Sequence, residues 1–228
     1  MPSRYFPPAD AADADGLVCV GGSLEPEWLL DAYRHGIFPW PIFDGDQPNC
    51  WWSPDPRAVI EIGSLHVSRR LRQTCRRQPF EITCDRDFAG VIHGCASAQN
   101  RQGETWLTEE MVEAYRHLHH LGHAHSVEAY QAGELVGGVY GVACGGLFAA
   151  ESMFYRLRDA SKVALVHLFQ HITLRGYQLF DIQQLTSHSA SLGAVEIPRK
   201  EYLQRLATAI ELDVQFGDKL EQGKPTGQ

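Results

Sequence analysis

Gln178-Leu179-Phe180-Asp181-Ile182-Gln183 is a short apolar run that carries an acid and an amide two residues apart. Successive side chains of a strand point to opposite faces, so Asp181 and Gln183 share one face while Phe180 and Ile182 share the other. Upstream, 146–154 reads as a second apolar strand, and 161–175 as a helix opened by Asp159 and stopped by Gly176. Strand, helix, strand in that order predicts a right-handed crossover and a partly parallel sheet. The expected fold class is therefore α/β (α+β) with a mixed sheet.

Working outward, 125–130 and 134–142 read as two further strands joined at Ala132-Gly133. Asp85 is a candidate cap for a helix with Phe88, Val91, Ile92 and Cys95 on one face, and Thr108 for another with Met111, Tyr115 and Leu118 inward and Gly122 as its stop. Pro198 opens a late helix that turns Leu203, Leu206 and Ile210 inward. Residues 16–62 have a different texture: a Gly21-Gly22 turn, a helix from Pro26 to the stop at Gly36, then a proline-broken stretch rich in tryptophan. This contrast predicts a small N-terminal domain over 1–62 and a larger one over 63–228, with 1–15 and 217–228 loose by composition.

The chain has 228 residues, 44% of them apolar, enough for a substantial core. It contains neither a bilayer-length apolar run nor a signal-peptide pattern, so a cytoplasmic protein with no membrane partner is expected. Six cysteines without a CxxC pair fit reduced core thiols. The histidines from His117 to His125 fit core and surface positions, because no Glu stands between His119 and His123 as a zincin motif requires. No metal and no cofactor are expected, since both the dinucleotide fingerprint and the phosphate loop are missing. A net charge of −8 argues against indiscriminate binding to nucleic acid. Arg69, Arg70, Arg72, Arg76 and Arg77 nevertheless concentrate positive charge on one short segment, either as a solvated helix face or as a landing pad for phosphates.

Five side chains stand out as carriers of chemistry. An acid inside an apolar strand is costly unless it has a partner or a task, which singles out Asp181, with Gln183 as its nearest donor, and Glu151 in Glu151-Ser152-Met153-Phe154. Alternation places Glu151 on the same face as Met153. Trp40 and Trp106 are flat rings of the kind that stack on nucleobases, although tryptophan is more often structural.

Taken together, these segments resemble the leucyl/phenylalanyl-tRNA–protein transferases. The matching stretches include Gly36-Ile-Phe-Pro-Trp40, Trp51-Trp-Ser-Pro-Asp-Pro-Arg-Ala58, Gly103-Glu-Thr-Trp106 and Leu121-Gly-His-Ala-His-Ser126. Glu134-Leu-Val-Gly-Gly-Val-Tyr-Gly-Val142, Glu151-Ser-Met-Phe154, Asp159-Ala-Ser-Lys162, Phe180-Asp-Ile-Gln183 and Ala190-Ser-Leu-Gly-Ala-Val-Glu-Ile-Pro-Arg199 continue them in family order. The resemblance implies a small domain on a larger GNAT-like acyltransferase domain. It implies transfer of Leu, also Phe and less so Met, from aminoacyl-tRNA to proteins with an N-terminal Arg or Lys, marking them for N-degron degradation.

By the same resemblance, Trp40 and Trp106 stack on the terminal adenosine of the tRNA, and Tyr115 also binds substrate. Val139, Met153, Leu165, Leu168, Ile172 and Phe180 line the amino-acid pocket, with Glu151 at its rim. Independently, Leu165, Leu168 and Ile172 fall on one helix face. The arginine segment would then hold the acceptor stem. The expected mechanism is direct aminolysis in which Asp181 hydrogen-bonds Gln183 and biases it toward the incoming amine; the alternative is that Asp181 only positions the substrates. An acetyl-CoA enzyme is the rival suggested by fold alone, and it is disfavoured because the turn Tyr155-Arg-Leu-Arg-Asp-Ala-Ser161 has no glycine to cradle a pyrophosphate. The oligomeric state is left open.

Overall fold

The computed structural model of the chain describes residues 2–42, 48–97 and 107–221. β1 (Leu17–Val20) leads into α1 (Pro26–Arg34), which has proline in its first turn and is closed by Gly36 at φ +76°. β2 (Phe38–Pro39) and β3 (Cys50–Trp52) complete an antiparallel sheet in the order β1-β3-β2. The segment ahead of β1, read from its composition as loose, lies against this unit, with Phe6 buried and packed on Trp28 and Trp51.

β4 (Arg57–Ile60), whose residues lie on the small-region side of the boundary expected at 62, is a strand of the larger sheet. The chain continues through α2 (Arg69–Arg77), β5 (Glu81–Cys84), α3 (Phe88–Ala96), α4 (Glu109–His120), β6 (Ala124–Gln131), β7 (Glu134–Cys144) and β8 (Leu147–Tyr155). It ends with α5 (Ala160–Arg175), β9 (Leu179–Gln183), α6 (Ser187–Ser191), β10 (Val195–Ile197) and α7 (Arg199–Ala209). The seven strands run in the order β10-β4-β9-β8-β7-β6-β5. β8 and β9 pair in parallel and the other neighbours antiparallel, so the sheet is mixed and α5 is the crossover between its parallel strands.

Local signals explain most of the helix ends, with one correction. Thr108 caps α4 by accepting from the Met111 amide at 3.2 Å, as its position predicts. The cap of α3 is Asp87, which accepts from Gly90 N at 2.8 Å, and not Asp85. Asp85 sits two residues earlier at φ +53° and is committed to β6, accepting from the Ser126 amide at 2.8 Å. Asp159 precedes α5 in a left-handed conformation and makes no side-chain cap bond.

The large sheet has two apolar layers. On one side Tyr115, Tyr140, Leu118 and Val91 join α3 and α4 to the sheet, and the same cluster takes in Leu29 and Tyr33 of α1 and Tyr202 of α7. On the other side α5 contributes Leu165, Leu168, Phe169 and Ile172. Each fully buried side chain of this size contributes roughly 1.5–3 kcal/mol. The N-terminal unit is thus sewn into the first layer, and the second is built on α5 with Leu192, Ala194 and Phe216 beside it.

Candidate active site

β8 and β9 pair from Leu147↔Leu179 to Ala149↔Asp181. Both strands then run on, to Tyr155 and Gln183, so their carboxyl ends form a wedge where ligands of parallel sheets commonly bind. Both are bulged here. Against β7 the register steps from Gly141↔Ala150 to Tyr140↔Ser152, which leaves Glu151 as the extra residue. Against β4 it steps from Val59↔Asp181 to Ala58↔Gln183, which leaves Ile182. A bulge re-aims the side chains around it, and this corrects the expectation that Glu151 and Met153 share a face. Met153 packs in the α5 layer, whereas Glu151 reaches Tyr115 in the opposite one.

Asp181 is fully buried and accepts four hydrogen bonds. Arg57 grips it with Nε at 2.9 Å and Nη2 at 2.6 Å, the Tyr202 hydroxyl donates at 2.8 Å, and the backbone amide of Gln183 donates at 2.9 Å. A two-pronged arginine of this kind is among the stronger carboxylate partners. Burial, the largest single influence, would lower the Arg57 pKa, but the Asp181 charge and hydrogen bonds, with Tyr202 and Glu151, together outweigh it and hold the guanidinium ionised. Arg57 also donates to Gly36 O at 3.1 Å and lies between the rings of Phe38 and Tyr202. The expected Asp181–Gln183 bond exists, but it is made to the backbone. It pins Gln183 at φ +61°, a left-handed conformation that a side-chain-bearing residue adopts only when its surroundings impose it.

The Gln183 side chain is directed instead to Glu151, donating from Nε2 to Oε1 at 3.1 Å. Tyr115 donates to Oε2 of Glu151 at 3.2 Å, and the Tyr115 and Tyr33 hydroxyls are 2.8 Å apart. Glu151 is half-buried. Desolvation raises its carboxyl to about 8, opposed by the Tyr33 hydroxyl, reinforced by the Asp181 charge, and opposed again by Tyr115 and Arg57. The wedge therefore holds one carboxylate locked in an ion pair and one carboxyl whose proton exchanges near neutral pH.

The six pocket candidates come together. Val139, Met153, Leu165, Leu168, Ile172 and Phe180 belong to one cluster beneath the wedge, on the α5 side of the sheet. Tyr115, expected to bind substrate, is fully buried and meets the site through Glu151. Trp40 is 38% exposed just after β2, where its backbone oxygen accepts from Trp52 Nε1 at 2.8 Å. Trp106 lies outside the described residues. Arg69, Arg70, Arg72, Arg76 and Arg77 are all exposed on α2, which Leu71 anchors to Val163 and Val166 of α5. The arginine surface is thus carried on the back of the helix that contributes Leu165, Leu168 and Ile172 to that cluster.

Among the described residues no group of three His, Cys, Asp or Glu side chains is placed to hold a metal ion. His119 is stacked on Phe88, and His125 is hydrogen-bonded to Asp85 at 2.7 Å. No helix of these residues is long and apolar enough to cross a membrane.

Comparison with known families places the chain. The family model of the leucyl/phenylalanyl-tRNA protein transferase matches residues 59–207, and that of its N-terminal domain matches 22–55. The chain belongs to this family. A curated relative of that name from Aromatoleum aromaticum is 52% identical over 89% of this chain and 85% of its own. Another, from Syntrophotalea carbinolica, is 50% identical over 90% of this chain and 88% of its own. A looser likeness is to the solved structure of L-PGS from Bacillus licheniformis, with a TM-score of 0.40 at 16% identity, covering 72% of this chain and 52% of that one. As a family member the protein is an aminoacyltransferase.

Arg57, Tyr202 and Tyr33 are site residues that sequence reasoning did not single out. A signal existed for Arg57, which heads the apolar run Ala58-Val59-Ile60 and so had to be buried with a counter-charge. Tyr33 and Tyr202 lie on apolar helix faces, where a hydroxyl with a task looks like any core tyrosine.

Proposed function

We propose that the protein transfers leucine, also phenylalanine and less readily methionine, from aminoacyl-tRNA to the N-terminal Arg or Lys of acceptor proteins in the cytoplasm, marking them for N-degron degradation. The observation that carries this reading is the half-buried Glu151 carboxyl, raised to about 8 and bridged to Gln183 where β8 and β9 part. The relatives' name supports the donor and acceptor classes.

The donor is an ester, already activated, so no acyl-enzyme is required. The acceptor is an α-amine with an ordinary pKa near 8, nucleophilic once it has lost a proton. A base whose pKa matches that of the amine suits this exchange. In the proposed step the Glu151 carboxylate takes a proton from the α-ammonium while Gln183, its Nε2 committed to Glu151, offers Oε1 to a second N–H. The amine attacks the ester carbonyl, the C–N bond forms and the C–O bond to the terminal ribose breaks. The second proton leaving nitrogen goes to the departing ribose oxygen, and the first is released from Glu151 to solvent.

Asp181 in this reading is a positioning residue, since its four bonds are already made and it holds the backbone turn that aims Gln183. Val139, Met153, Leu165, Leu168, Ile172 and Phe180 receive the side chain of the transferred amino acid. Trp40 and Trp106 stack on the terminal adenosine. Arg69, Arg70, Arg72, Arg76 and Arg77 bind phosphates of the acceptor stem, and the net charge of −8 favours a cationic acceptor terminus.

The test is to incubate the protein with radiolabelled Leu-tRNA and peptides that begin with Arg, Lys or Ala. Label on the first two alone is expected. Equal labelling of the Ala peptide would remove the acceptor assignment, and labelling of none would remove the function.

A further inference from the structure

We propose that Phe216, on the segment that follows α7, is a specificity-determining residue that sets the depth of the amino-acid pocket and hence the ranking of leucine against phenylalanine; this rests on the transfer reading above. The strands that hold polar groups at one end hold rings at the other. Phe148 of β8 and Phe180 of β9 stack with centroids 5.9 Å apart at the end of the parallel pair remote from Gln183. Phe148 lies three residues before the bulge at Glu151, on the α5 side of the sheet. A side chain that enters from the wedge and runs along the strands meets these rings, and Phe216 backs them, 5.9 Å from Phe148 and only 2% exposed.

The wall that Phe216 makes differs from the others. Val139, Phe180 and Ile172 ride on strands or a helix whose backbones are held by regular hydrogen bonding. Residues 213–221 lie outside any helix or strand. Their backbone is tied down by two side chains of α5, and the Phe216 ring stacks on His125 of β6 at 4.2 Å and meets His171 edge-on at 4.5 Å. His171 is fully buried and uses both ring nitrogens, Nε2 against Phe216 O and Nδ1 against the Glu221 amide, each at 2.8 Å. Arg175 donates to Gln215 O at 2.8 Å and pairs with Glu221 at 3.4 Å. Gly217 turns the chain at φ +81°, with the Arg175 guanidinium 2.9 Å from where a Cβ would stand.

The side chains that would line the pocket are packed on one another, with Leu168, Ile172 and Phe180 at 1% exposure or less. Admitting an acyl side chain therefore requires some wall to give. The wall that belongs to no helix or strand is the Phe216 segment, which also lies beyond residue 207, where the match to the family model ends. Pocket depth is thus set by a part of the chain outside the matched fold.

The experiment compares kcat/KM for Leu-tRNA, Phe-tRNA and Met-tRNA in the full-length protein and in Phe216→Ala and Phe216→Leu, with thermal melting alongside. One methylene in an apolar pocket alters selectivity by about 10-fold or more, so a ring standing behind the lining should shift the Phe/Leu ratio by at least about fivefold on removal. Phe216→Ala is expected to raise that ratio, and Phe216→Leu to raise it less. If all three donors fall by one common factor the residue is merely structural and the proposal is overturned. Should Phe216→Ala not fold, Phe216→Leu decides by the same ratio. An unmutated protein inert with every donor would instead sink the transfer reading, and this proposal with it.

Discussion

The two carboxyl groups of the wedge are built from the same kind of material and end in opposite states. Asp181 sits under β9 with an arginine, a phenol and a backbone amide filling its oxygens. Glu151 sits in the bulge of β8 with a side-chain amide and a phenol, no cation among the described residues bonded to it, and part of its surface open. The first is bound in a two-pronged ion pair with Arg57, whereas desolvation pushes the second up to about 8. A site needs both, one group whose hydrogen bonds are all committed so that the backbone stays in place, and one that exchanges its proton.

The sharpest way to break the comparison is to exchange the roles chemically. Asp181→Asn leaves a side-chain oxygen for the Gln183 amide but strands Arg57 as a buried charge, and breaking such a pair costs about 3–5 kcal/mol. Melting should show a large loss of stability, while single-turnover transfer per folded molecule should fall less than tenfold. A greater loss with stability intact would mean that Asp181 handles a proton. Glu151→Gln should do the reverse. It keeps the shape and removes the base, and loss of such a group lowers turnover by about 10²–10⁴-fold. Stability should be kept, and a variant that transfers at the unmutated rate would remove Glu151 from the chemistry.

How much of this contrast could be read from the sequence depends on how local each feature is. The crossover from β8 to β9 was legible because strand alternation, a helix face and a terminal glycine are properties of a few neighbouring residues. The inward Asp181 was legible too, since an acid in an apolar strand is conspicuous. Its partner was not, because Arg57 lies 124 residues away and the two meet only once β4 pairs with β9. The face of Glu151 was misread for another reason. Strict alternation assumes an unbroken ladder, and a bulge between Ala150 and Ser152 leaves no mark in composition. Asp85 and Asp87 were equally good caps by residue type, and the competing bond to Ser126 on another strand decided between them.

A pH series sharpens the comparison with a smaller effect. Glu151 is raised in the folded state above the ordinary carboxyl value of 4.5, to about 8, so its protonated form favours the fold. The stability that this proton contributes is complete below about 4.5 and is lost as pH rises through about 8. Over the same interval the carboxylate that acts as base accumulates, so turnover should rise as stability falls. Glu151→Gln should flatten both curves between pH 5 and 8. Parallel curves for variant and parent would place the titrating group elsewhere.

The smallest expected effect falls on the locked side. Tyr202→Phe keeps the ring that faces Arg57 and removes only the hydroxyl that donates to Asp181. A single hydrogen bond to a charged acceptor contributes about 1.5–3 kcal/mol, and the bidentate arginine should cushion part of that loss. Melting should therefore show a decrease well below that of Asp181→Asn, with the pH profile of transfer unmoved, since Glu151 keeps its own donors. A shifted profile would show that losing the Tyr202 hydroxyl alters the Asp181 charge that already helps to raise Glu151. The division between a fixed and an exchanging group would then have to be redrawn as one coupled pair.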